Sequence, residues 1–459
     1  IEHSIARGLY CRLIGNITPS LELADTLRAE MDRLVKLDIS FVRKEKLTTD
    51  VIEIFRNQGL DDKVKLLEST NDLYTTYYSL DGLCDSYYGN LAPSTGHLAT
   101  FDLLPYKEGF LLLGPDSNSD NRPARPINQE KMYTAFTEYV DFNHTIGIKN
   151  VGELNNAVTS GNAAMLINVA EALHDKKIGR ISDEILSRFN DGGARIVLIA
   201  GPSSSGKTTF TKRLSIQLMT NLLIPQSISL DDYFVNRVDT PLDENGEYDF
   251  ESLYALDLEK FNNDLTALIN GEEIELPYYN FETGQREYRG NRIKLGPKTV
   301  LLIEGIHGLN PELTASIDAK MKYSIYVSAL TSLSIDDHNW VPTTDNRLLR
   351  RIIRDHKYRG VSVTDTIKRW PSVRRGEEKW IFPYQENADA MFNSSLLFEL
   401  GVIKEYGEAV LKTVPRNIPE YGEAYRLRAF LSYFAPIGDE LIPSTSLLRE
   451  FLGGSSFKY

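Results

Sequence analysis

The chain has 459 residues, 42% apolar and 25% charged, the balance of an ordinary soluble globular protein, and its length allows two to four domains at about 100–200 residues each. Its formal net charge of −13 speaks against a protein whose main task is to coat nucleic acid, since such binding neutralises phosphates with Lys and Arg. The two cysteines, Cys11 and Cys84, make neither a disulfide framework nor a CxxC metal pattern, no apolar run approaches the ~18 residues of a membrane span, and Ile1-Glu2-His3 opens no secretory signal; the expectation is a cytoplasmic protein away from membranes, given as a fragment that lacks something ahead of Ile1.

In chain order, a helical pattern covers Leu21–Leu37 and an aromatic stretch covers Tyr74–Tyr88. Gly89–Gly96 and the Asn-, Asp- and Pro-rich Asp116–Pro126 read as exposed loops. A helix is expected over Asn162–Phe189, ended by Asn190-Asp191-Gly192-Gly193, and the main boundary falls there. Beyond it the apolar runs Arg195–Ala200, Thr299–Ile306 and Tyr323–Ala329 are continuous rather than alternating, which suits strands buried on both faces. Alternating with helices, they predict an α/β doubly wound parallel sheet. After Gly401 the pattern is helical at Glu420–Phe434 and Ser446–Leu452, with Gly453-Gly454 to cap the last helix.

The strongest signal is Gly201-Pro202-Ser203-Ser204-Ser205-Gly206-Lys207-Thr208, which matches GxxxxGK[ST] at every fixed position. A chain of this length carries that pattern by chance about 2% of the time, and here it also sits between an apolar run and a helix with Phe210, Leu214, Leu218 and Leu222 on one side. Glycines let successive backbone N–H groups converge on one anion, and the following helix adds its positive end. Gly201, Ser203, Ser204, Ser205, Gly206, Lys207, Thr208 and Thr209 are therefore expected to bind ATP, with Lys207 on the β- and γ-phosphates and the Thr208 hydroxyl on Mg²⁺. The Asn-Lys-x-Asp element of a GTPase and the LSGGQ of an ABC ATPase are both absent from the sequence.

The motifs that follow, over residues 194–395, resemble the uridine kinase/phosphoribulokinase family of P-loop kinases. Ile228–Phe234 is similar to its Ser-x-Asp-x-Phe/Tyr segment, which implies that Asp231 is the base for the acceptor hydroxyl; read alone, Asp231 or Asp232 is better taken as the cap of a helix or turn. Tyr248-Asp249-Phe250 resembles a segment whose Asp holds the acceptor sugar, which implies that role for Asp249. Pro277–Phe281 with Arg286 resembles a stretch that would lay Tyr279 along the acceptor pocket, the alternative being plain aromatic packing of Tyr278 and Tyr279. Gly284 stands where the nucleoside kinases carry a base-reading His. Leu302–Ile306 resembles the element that puts Glu304 on the Mg²⁺ side, against the alternative of a solvated strand-end carboxylate.

Asp345–Gly360 reads DNRLLRRIIRDHKYRG. On a helix Arg347, Arg350, Arg351 and Arg354 share one face and Leu348, Leu349, Ile352 and Ile353 the other, so the expectation is a basic stripe for a polyanion above an inward apolar face, or else a surface stripe held by distant acids. The segment also resembles the family's lid, which implies Arg354 and Arg359 on ATP phosphates and Arg351 on the acceptor. Val361 and Arg369 differ from the nucleoside kinases, and Arg369 is expected at the acceptor; Phe382-Pro383 and Ala388-Asp389 match the family, and Glu378 matches an acid of it without an assigned chemistry.

Residues 1–150, through Ser94-Thr95-Gly96-His97-Leu98 and Leu104…Phe110, resemble the accessory domain of threonyl-tRNA synthetases, without the HxxxH pair of a metal-dependent editing site. The expected organisation is thus an α+β accessory domain at 1–190, a P-loop NTPase-type kinase domain at 191–400 and a helical extension at 401–459 packing on the kinase domain. The expected function is ATP- and Mg²⁺-dependent phosphorylation of a hydroxyl of a nucleoside, uridine- or cytidine-like, or of a related sugar-like small molecule, with a homo-oligomer left open; the alternative is an ATP-gated RNA- or tRNA-associated regulatory module.

Overall fold

A computed structural model describes residues 1–15, 17–116, 119–244 and 246–458. The chain forms two compact units, one made of 1–166, 331–349 and 396–439, the other of 167–330, 350–395 and 440–459. These units cut the chain differently from the stretches 1–190, 191–400 and 401–459, because side chains far apart in sequence close each of them.

In the first unit Leu21–Leu37 is a helix, started by Ser20, whose Oγ accepts the Leu23 N–H at 3.1 Å, and stopped by Asp38 at φ +48°. The Ser94–Leu98 segment locks that stop. Thr95 Oγ1 accepts the Ile39 N–H (2.9 Å) and donates to the Leu34 carbonyl (2.6 Å), and the Gly96 N–H donates to the Asp38 carboxylate (3.1 Å). A Cβ on Gly96 would overlap that carboxylate and have to displace it. The aromatic stretch supplies the strands Tyr74–Leu80 and Leu83–Asp85, the first central to an antiparallel three-stranded sheet with Val42–Leu47. A four-stranded antiparallel sheet is built from His3–Ile5, Gly8–Cys11, Gly109–Leu113 and Asp102–Tyr106. Within Asp116–Pro126, expected as loop, Ser119–Pro123 pairs antiparallel with Pro115–Asp116; Ser117 and Asn118 lie outside the described residues.

Two distant stretches complete this unit. Lys63 is fully buried and its ammonium meets Asp85 (2.7 Å) and Asp336 (2.8 Å), the second from 331–349. Asn155 donates to the Tyr433 carbonyl and accepts from the Ala435 N–H, both at 2.7 Å, which ties in 396–439. A buried cation needs its anions at hand, and here one of the two comes from a distant part of the sequence.

The second unit contains, in chain order, most of α1 (Ala163–Asn190), β1 (Ile196–Ala200), α2 (Lys207–Thr220), β2 (Ile224–Ser229), α3 (Leu258–Ile269), the antiparallel hairpin β3 (Ile274–Asn280) and β4 (Gln285–Ile293), β5 (Thr299–Glu304), β6 (Lys322–Ser328), the later half of α4 (Thr343–Tyr358), α5 (Val363–Trp380), β7 (Ala390–Asn393) and α6 (Arg449–Leu452). The parallel sheet has the order β2-β5-β1-β6-β7, the α/β arrangement expected from the continuous apolar runs. Its central strands feed two cores by alternation: Ile196, Leu198, Leu301 and Ile303 pack on one face, Val197, Ile199, Val300 and Leu302 on the other. Phe210, Leu214 and Leu218 of α2 are buried as expected, whereas Leu222 lies past the helix end, exposed and at φ +59°. Ser446–Leu452 is helical only from Arg449, with Gly453 at φ +86° closing it. No helix among the described residues is long and apolar enough to cross a membrane.

Candidate active site

Register brings the site together. β5 pairs in parallel with β1 (Ile199 opposite Glu304) and with β2 (Ser229 opposite Glu304), so the three strands end level. The loops leaving them therefore share one edge of the sheet, where open α/β sheets bind ligands.

The loop after β1 turns on Ser204 (φ +59°) and Gly206 (φ +82°). A Cβ on Gly201 would overlap the Val327 carbonyl oxygen, and one on Gly206 would overlap Leu447, so space favours glycine at both and torsion favours it at Gly206 as well. Lys207, the first residue of α2, reaches back over the loop to the carbonyls of Gly201 (2.9 Å) and Pro202 (3.1 Å). Burial lowers its pKa, opposed by Glu304 and Asp231. Thr208 Oγ1 donates to Glu304 Oε1 at 3.0 Å. The other carboxylate oxygen, Glu304 Oε2, is buried with no hydrogen-bond partner among the described residues, and the neighbouring Thr211 hydroxyl is spent on the Lys207 carbonyl (2.9 Å). An orphaned carboxylate oxygen beside a threonine hydroxyl is an oxygen donor set that suits Mg²⁺, which is bound through one or two carboxylates plus substrate phosphates.

Asp231 follows β2 on a short 3₁₀ turn, where its N–H donates to Ser229 Oγ at 3.3 Å, so it does sit in a turn as well as at the strand end. Asp231 is exposed to solvent, with protein crowding around it. The crowding raises its pKa, and Lys207, Arg359 and Arg354 pull the other way. Those opposing influences place Asp231 in the field of the loop lysine and the two lid arginines.

The arginine stripe of α4 divides. Arg347 and Arg350 are buried at 1% and 0% exposure, so both faces of the helix are covered and the stripe is no surface feature. Arg350 props the loop from behind, donating to the Ser394 carbonyl (2.9 Å) and Ser394 Oγ (3.3 Å), with its guanidinium 5.2 Å from the Phe451 ring centre. Arg351 reaches Ser203 Oγ at 2.9 Å. The acid that organises the rest is Asp355, which is buried and meets Arg351 (3.2 Å), Arg354 (3.0 Å) and Arg359 (3.7 Å). Asp355 stands inside the lid segment, so the signal was present in the sequence, but a helix-face count places it off the stripe.

The acceptor-side residues fall unevenly. Asp249 turns its carboxylate onto the N–H of Glu251 (3.2 Å) and stabilises a local turn. Glu251 is the carboxylate drawn into the site: burial pushes its pKa up to about 7, with Arg351 and Lys207 opposing and Glu377 and Asp231 adding to the rise. Glu377 on α5 is fully buried and accepts the Ser203 N–H (3.1 Å) and an Arg374 N–H (3.1 Å), while its neighbour Glu378 is exposed and pairs with Arg374 at 3.2 Å. Tyr279 is buried against Phe234 and Phe281, with ring centres 5.5 and 5.0 Å away. Gly284, at φ +69°, accepts the Arg237 N–H at 2.8 Å, and the Arg237 side chain fills the space a Cβ would need. Arg369 is exposed on α5, and no contact among the described residues joins it to this cluster.

Residues 196–396 match the phosphoribulokinase/uridine kinase family. A uridine kinase of Staphylococcus aureus is 33% identical over 199 residues, which is 42% of this chain and 84% of that protein. A uridine kinase of Halobacterium salinarum is 28% identical over 193 residues, 42% of this chain and 76% of that protein. Among solved structures, the D-glycerate 3-kinase of Cryptococcus neoformans aligns over 62% of this chain and 90% of its own, with 13% identity and a TM-score of 0.26.

Proposed function

The chain belongs to the phosphoribulokinase/uridine kinase family, and from that premise we propose that it transfers the γ-phosphoryl group of ATP to a hydroxyl of a nucleoside or a related sugar-like small molecule. One observation supports this reading above the others: Asp231 lies in the joint field of Lys207, Arg354 and Arg359 at the level edge of the sheet.

In this reading the phosphates of ATP rest on the 201–209 loop, and Lys207, Arg354 and Arg359 neutralise charge on the moving phosphoryl group. Asp231 accepts the proton of the acceptor hydroxyl as its oxygen bonds to phosphorus and the bond to the ADP oxygen breaks. Thr208 and Glu304 would hold Mg²⁺, which would offset charge on the phosphates. Glu251 and Arg351 take the acceptor's remaining hydroxyls; Asp249 supports Glu251 through its N–H.

No side chain at Gly284 can read a base edge, and Arg237 already occupies the space above it. Selectivity among bases should therefore be loose, because a site discriminates strongly only through the groups it was built to bond. Values of kcat/KM for uridine, cytidine, purine nucleosides, pentoses and cyclitols test this. The expected result is several nucleosides within about an order of magnitude of one another; strict preference for uridine would contradict the loose reading, and a pentose or cyclitol as the sole acceptor would move the substrate class away from nucleosides.

A further inference from the structure

Glu450 lies far from the family segment in sequence but on the phosphate loop in space. Its carboxylate oxygen Oε2 accepts the Thr209 N–H at 3.3 Å and the Thr209 hydroxyl at 2.7 Å. Thr209 is the third residue of α2, which starts at Lys207. The N–H groups of a helix's first turn have no intrahelical partner, and in a phosphate loop they are the donors an α- or β-phosphate takes. Glu450 also adds to the electrostatic surroundings of Lys207 and Glu304, so its charge sits where phosphate charge has to come.

The segment carrying Glu450 is seated firmly. Leu447 is fully buried in the core against Gly206. Phe451 lies on the Arg350 guanidinium at 5.2 Å, and Lys357 Nζ donates to the Leu452 carbonyl. Arg449 donates to the Ile442 carbonyl at 2.7 Å. The carboxylate is thus presented to the loop by a built support, and Glu450 itself is only partly buried.

We propose that the 446–452 segment is a built-in competitor for nucleotide phosphate, with the Glu450 carboxylate holding the Thr209 donors until a phosphate displaces it. The proposal rests on the kinase reading, in which the loop receives ATP. Two like charges cannot share those donors, so each phosphate-bearing ligand meets a charge it must expel. The segment then sets ATP affinity from outside the region that marks the family, and anything that draws Glu450 away sensitises the enzyme to ATP.

Glu450→Gln in the full chain keeps the shape and removes the charge. Calorimetric titration with Mg²⁺–ATP and with ADP should show Kd falling roughly threefold to tenfold in the variant, the range of helix-terminal charge effects. Equal or weaker binding in the variant would overturn the proposal and make Glu450 a support for the loop. If the variant is unstable, hydrogen exchange in the unaltered chain decides: added ATP should speed exchange in residues 446–453, and unchanged or slower exchange there would overturn it. Failure of the unaltered chain to bind either nucleotide would strike the kinase reading itself, and this proposal with it.

Discussion

Asp231 and Glu251 both have raised carboxyl pKa values, and the proposed mechanism gives them different work. Asp231→Asn keeps the size and removes the base, so kcat should fall about 10²- to 10⁴-fold while the Kd for ATP, read by titration, stays near its original value. Parallel losses in both would make Asp231 structural. For Glu251 the folded-state pKa of about 7 lies above the ordinary value of 4.5, so folding takes up a proton. That contribution to stability is complete below about 4.5 and is lost as pH rises through about 7. Glu251→Gln is neutral throughout, so its stability, measured by denaturant titration between about pH 5 and 8, should lose less on raising the pH than the unaltered chain does; identical pH curves would contradict the assignment. Part of the arrangement was legible residue by residue: the motifs set the loop, Glu304 and Asp231 at neighbouring strand ends, where Thr208 meets Glu304. Glu251, Glu377 and Asp355 were not: the spacing of Glu377 from Glu378 does not say which is buried, Glu251 lies beside the Asp249 that the motif picks out, and Asp355 lies off the helix face that the arginines define.

At the scale of elements, α4 shows both the reach and the limit of periodicity. Leu348, Leu349, Ile352 and Ile353 are all buried, as the apolar spacing predicts. The same spacing groups Arg347, Arg350, Arg351 and Arg354 as one surface, although Arg350 is buried with its donors on the Ser394 carbonyl; Arg359, just past the helix end and outside that group, keeps 57% of its side chain exposed. Helical spacing reports a face, not what covers it. The two arginines should therefore separate on mutation. Arg350→Ala removes a buried donor set and leaves a cavity, and should lower stability by about 2–5 kcal/mol. Arg359→Ala should leave the denaturation midpoint almost unchanged and lower kcat. Melting curves and turnover measured on both variants check this; a large loss of stability in Arg359→Ala, or none in Arg350→Ala, would contradict the division. The parallel sheet was the most legible element of all, because strands buried on both faces need continuous apolar runs and few other structures do.

At the scale of the whole chain, organisation was the least legible. The stretch 331–349 lies inside the matched 196–396 segment, yet it belongs to the first unit, where Asp336 meets the buried Lys63. Likewise 396–439 closes the first unit and 440–459 the second, where a single helical extension was expected. Such closures join residues hundreds of positions apart, and no local pattern encodes them. What the chain does as a whole rests on one chemical claim, that its phosphate loop delivers phosphoryl groups to a small-molecule hydroxyl. The direct measurement is ADP release from Mg²⁺–ATP, with and without a mixed panel of nucleosides, pentoses and cyclitols, in the unaltered chain and in Lys207→Ala, with mass spectrometry for the phosphorylated acceptor. The account predicts ADP release that rises with at least one acceptor, one phosphorylated product per ADP, and loss of nearly all of it in Lys207→Ala. ADP release indifferent to every acceptor, or a Lys207→Ala variant as active as the unaltered chain, would contradict it.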